Sequence, residues 1–144
     1  MPSPDAMRAL LAGLIAGSAT AFACTTIVLV MLWRNPAWFR RVPQQERVSL
    51  PLVGVVAMNG FLLGWTALGL LLGAALRLVE ASRPAEGFGS PNLAFTLGVT
   101  VAVALAILVT TFVRGRYSWS LTAMAASAAL SFGWLLPWLG TPRP

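Results

Sequence analysis

Histidine and lysine are absent from this chain, and cysteine and tyrosine each occur once. Without histidine there is no imidazole to ligate haem, to coordinate a metal or to serve as a general base. Cys24 stands alone, which excludes an intrachain disulfide and a cysteine-based zinc site. Neither the phosphate-cradling G-x-x-x-x-G-K-[ST] pattern nor a dinucleotide fingerprint occurs. The many serines and threonines have no neighbouring base to activate them. Catalysis by this chain alone is therefore not expected. No catalytic residue, metal site or cofactor is assigned, and the ligands left are bound lipid or a non-covalent hydrophobic molecule.

Charge is equally scarce. Only 10% of the 144 residues are charged and 58% are hydrophobic, with a mean hydropathy of +0.79, whereas a soluble domain carries about 25% charged residues. All ten basic residues are arginine and the formal charge is +6. They flank apolar blocks, so anionic lipid headgroups rather than nucleic acid are the expected partners.

Four blocks carry no charged side chain: 9–33, 48–76, 93–113 and 117–141. A hydrocarbon core of about 30 Å takes about 20 helical residues to cross, and helix is required because open strands leave backbone groups unpaired in lipid. The expected fold is all-α, a four-transmembrane-helix bundle forming a single membrane domain over 1–144. Its spans lie at about 9–33, 50–76, 93–113 and 120–139.

The triplet Ala21-Phe22-Ala23 before Cys24 imitates a signal-peptide cleavage site. The apolar run continues unbroken from Thr25 to Trp33, so an uncleaved span is expected. Six arginines, Arg34, Arg40, Arg41, Arg47, Arg114 and Arg116, fall on the side of the first and third connections. Four, Arg8, Arg77, Arg83 and Arg143, fall on the other. The positive-inside bias then places both termini on the non-cytoplasmic side. Trp33, Trp38, Trp119, Trp134 and Trp138 sit at belt positions, while Trp65 lies mid-span. Arg34, Trp38, Arg40, Arg41 and Arg47, with Arg114 and Arg116, form a basic, aromatic face suited to lipid headgroups or to docking. In the middle connection, Glu80 is placed to pair with Arg83 at an exposed helix end.

In lipid, helices associate through close backbone approach at small residues. Gly13 and Gly17 are four apart in the first helix; Gly60 and Gly64, then Gly69 and Gly73, repeat the spacing in the second. Ser127 and Ser131 do so in the fourth. This supply exceeds what one bundle requires and points to contact with other membrane subunits or with a second copy. Asn59 is the most polar side chain deep in a span. Thr66 and Gly73 continue its face at i+7 and i+14, so it is expected to turn toward other helices and to bond one of them. No carboxylate falls within the spans, as a proton-coupled carrier would require. An echo between Leu63-Gly64-Trp65 and Phe132-Gly133-Trp134, and between the basic connections, would suit two parallel helical hairpins.

Small multidrug transporters carry a glutamate in their first helix, which this chain lacks. Met58-Asn59-Gly60 is similar to the asparagine site of fluoride channels, but the broken third helix of those channels has no counterpart in 96–111. No family is assigned. The expected role is a non-catalytic accessory or structural subunit of a larger membrane assembly. The alternatives are a small oligomeric channel or carrier for an uncharged or anionic solute, and a lipid- or pigment-binding protein.

Overall fold

The computed structural model describes residues 4–34, 50–82, 92–115 and 118–141. Of these, 96% are helical and none is in a strand. The elements are α1 (Pro4–Arg34), α2 (Leu50–Ser82), α3 (Leu93–Arg114) and α4 (Trp119–Gly140). Each is long and apolar enough to cross a membrane. Trp38, Arg40, Arg41, Arg47, Arg83 and Arg116 lie outside the described residues.

The helix ends follow from local chemistry. Pro4 opens α1, where a missing N–H costs nothing. Asp5 in the first turn and Arg34 in the last complement the helix dipole. Asn92 caps α3 through Oδ1, which accepts from the Phe95 amide at 3.2 Å. Gly115 ends that helix at φ 59°, a left-handed conformation that suits glycine. α1 and α2 both overrun the charge-free blocks, α1 at its start and α2 at its end. At 31 and 33 residues they are roughly 46–50 Å long, more than a bilayer core needs.

α1 is the centre of the molecule. It packs along α2 and against both halves of α4, whereas α3 is held almost entirely by α4. The buried face of α1 is built from Ala9, Ala12, Gly13, Ala16, Gly17, Thr20, Ala21, Cys24 and Thr25, with Leu32 the one large member. These residues recur at helical spacing, so one narrow side of α1 lets neighbouring backbones come close. The core proper joins Ala16, Leu76, Phe95, Ala128, Phe132 and Leu136. It lies toward the end that carries the start of α1 and the ends of α2 and α4. Among residues 93–114 only Phe95 is buried, and the far half of α3 exposes Leu105, Leu108, Val109, Phe112 and Val113.

The hairpin echo does not extend to the environments of its residues. Gly133 is buried beside Thr96, Val99 and Thr100, while Gly64 meets nothing within 4 Å. Trp134 is exposed, whereas Trp65 stacks at a tilt on Phe132 with ring centres 6.0 Å apart. One of the paired hairpins closes on glycine backbone and the other on side chains, because only α1 and α2 bring glycines face to face.

Candidate functional site

Three places in the fold hold the polar and small residues that bear on function. The first is the antiparallel seam of α1 and α2. A Cβ built on Gly13 would strike the Gly69 carbonyl, and one on Gly69 would strike the Gly13 carbonyl. Gly17 lies in the same way against the backbone of Trp65 and Thr66, and Gly73 against Ala9. The two backbones therefore touch at three successive levels, Gly73 on Ala9, Gly69 on Gly13 and Trp65 on Gly17, with no side chain between them.

Gly60 and Gly64 do not belong to this seam. Among the described residues, neither has a heavy atom of another element within 4 Å of its Cβ position. The expectation that Asn59 turns toward another helix of this chain is corrected. The residue is exposed, and its Nδ2 donates to the Val55 carbonyl of its own helix at 2.8 Å rather than to another helix. The cause is the geometry of the seam. Gly73, Gly69 and Trp65 are four apart, and such a row turns by about 40° per step at 100° per residue. The i+7 series from Gly73 through Thr66 to Asn59 drifts the other way, by about 20° per step. At the depth of Asn59 the seam has moved round toward Gly54, which meets Leu29.

The second place is a break in α4. Residues Ser131–Leu135 form a π-helical turn, in which the Leu136 amide donates to the Ser131 carbonyl. Pro137 follows, with no N–H to offer the carbonyl four residues earlier. That carbonyl belongs to Gly133, and the Thr96 hydroxyl of α3 donates to it at 2.6 Å. The other hydroxyls of the helices mostly turn inward on themselves. Thr20, Thr25, Thr66, Thr100 and Ser127 each donate to the carbonyl four residues before, as hydroxyls in apolar surroundings do. Ser127 thus bonds Ala123 of its own helix, and the Ser131 carbonyl accepts the bond that closes the π-turn. Thr96→Val is expected to cost about 0.6–2 kcal/mol, the worth of an interhelical hydrogen bond in lipid. Thr100→Val should cost less, since Thr100 is exposed and bonds only its own helix. Reversible unfolding of both variants in mixed micelles checks the difference.

The third place is the closed end, where α2 runs on to Ser82. The helix thus extends past the expected end of the span at Leu76, and Glu80 is not at an exposed helix end as the sequence suggests; its expected partner Arg83 lies outside the described residues. Glu80 is buried, and among the described residues it pairs with Arg77 Nη1 at 3.5 Å, one helical turn back. Leu76 and Glu80 continue the stripe of Gly69 and Gly73 that faces α1. Extending the helix past the first charge would have revealed this, because the i+4 spacing from Leu76 is plain in the sequence.

Arg34 and Arg114 end α1 and α3 as exposed side chains. No group of three or more metal-ligating side chains occurs among the described residues. Compared with protein-family models, curated proteins and solved structures, the chain finds no match in any of the three. Its function has to be argued from its own residues.

Proposed function

We propose that this chain is a non-catalytic integral membrane subunit that docks other membrane-embedded subunits through the outer face of α2. The observation that carries this reading is the division of the α2 glycines. Gly69 and Gly73 are consumed by contact with α1, while Gly60 and Gly64 lie open beside an exposed Asn59. A glycine pair in a helix gives up conformational restraint and side-chain packing, and in lipid its use is close approach of another helix. The Asn59 amide carries two donors and an acceptor, and in hydrocarbon its unmet capacity favours a polar partner.

The test is extraction in mild detergent, intact-complex mass and identification of what co-purifies, for the wild type and for Gly64→Ile. The expected result is foreign membrane subunits in fixed ratio with the wild type. A loss of about 1.4 kcal/mol in the contact weakens capture by Gly64→Ile tenfold. The helices of the variant are expected to remain folded because no described residue of another helix lies within 4 Å of the Gly64 Cβ position. A wild-type chain that runs alone, or only with copies of itself, overturns the reading.

A further inference from the structure

At the closed end, the Glu80 side chain is only 5% exposed, and neither carboxylate oxygen has a hydrogen-bond partner among the described residues. The Arg77 guanidinium, one third exposed, approaches to 3.5 Å, which attracts charge but is too long for a normal hydrogen bond. From α1, Asp5 lies close enough to repel a negative Glu80, and Arg8 follows one turn on as an exposed side chain. The last turn of α4, Leu136–Gly140, carries no titratable group, nor does Thr141 after it, and Asn92 at the head of α3 is uncharged. These are the charged and titratable groups of the described elements around Glu80.

An ionised carboxylate accepts several hydrogen bonds, and a buried one without them is strongly disfavoured. Calcium or magnesium would need six or more oxygens and zinc about four ligands, whereas Glu80 has one acidic neighbour and an adjacent guanidinium that repels cations. A proton needs a single oxygen and no added space. We propose that Glu80 is a proton-binding group whose protonation seats the last turns of α2 against the first turn of α1. The proton is exchanged with water at the membrane surface. When it leaves, the carboxylate moves toward Arg77 and solvent, and the closed end loosens.

The full chain in lipid nanodiscs tests this by infrared titration of the protonated carboxyl band between about pH 4 and pH 9. Amide exchange of residues 5–12 and 76–82 is followed in parallel and corrected for intrinsic rates. The wild type is expected to show a carboxyl band that titrates together with rising exchange. Glu80→Gln should lose that band and hold exchange at its low-pH value throughout. Arg77→Gln removes an attracting charge and should move the midpoint to higher pH; Asp5→Asn removes a repelling one and should move it lower. A titrating band that survives Glu80→Gln unchanged belongs to another carboxylate and overturns the proposal, as does wild-type exchange that is flat with pH. Should Glu80→Gln fail to fold, the opposed shifts of the Arg77 and Asp5 variants decide, and their absence overturns it.

Discussion

Gly69→Ile is expected to separate α1 from α2 and to unfold the molecule. Even the first carbon of the new side chain would land on the Gly13 carbonyl, with the backbone of Gly17 next in line. No rotamer relieves a clash made by Cβ itself, and the opposing atoms are backbone rather than the end of a flexible side chain. Overpacking of ordinary cores costs about 1–3 kcal/mol. A backbone collision on the central helix should exceed that and reach about 4 kcal/mol or more, the range of the most disruptive single substitutions. Because α1 also carries α4, and α4 carries α3, loss of this seam spreads to every helix. The measurement is the equilibrium between folded and unfolded chain in mixed micelles. Gly60→Ile is the control, expected to shift that equilibrium by less than about 0.5 kcal/mol because its surroundings are open. Equal behaviour of the two variants would show that the seam does not hold the helices together.

Phe132→Ala is the second large effect, and its size depends on the solvent in which the protein folds. Phe132 is 2% exposed, lies against Trp65 and joins the cluster of Leu76, Phe95 and Leu136. In water such a truncation costs about 3–5 kcal/mol, part of it for transfer of the ring out of water. Between helices in lipid that transfer part largely vanishes, because acyl chains are as apolar as the core. What is left is the dispersion lost around the hole, so a cost of about 1–3 kcal/mol is expected. The readout is the same unfolding equilibrium, together with the emission of Trp65 in a variant that keeps it as the sole tryptophan. A cost near zero would mean that the core refills by collapse or with lipid. A full 5 kcal/mol would mean that the ring is transferred from water after all.

Much of this was open to reading along the chain. Charge-free blocks of the right length located all four helices, since a run of apolar side chains long enough for lipid leaves few other conformations. The glycine pairs were visible as candidates for close approach. Two features misled. The first charge after an apolar block suggests the end of the helix, although helix formation continues through Arg77 and Glu80 without difficulty, both being good helix formers. That boundary puts Glu80 in an exposed connection. A seven-residue repeat gives Asn59 an inward face, whereas the glycine seam advances in fours.

The amino-acid sequence by itself determined the helical class, the number of apolar helices and the chemistries without residues to perform them, because these depend on composition and on periodicity within one segment. Which glycines meet a neighbour, which hydroxyl reaches the carbonyl freed by Pro137, and whether a polar side chain is buried or bare were decided only by the tertiary structure. Gly69 and Gly64 have the same local sequence signal, a glycine four residues from another. The difference between them is the position of α1, set by how two rows of small residues register against each other. Registry of that kind is a relation between helices, and no single helix contains it.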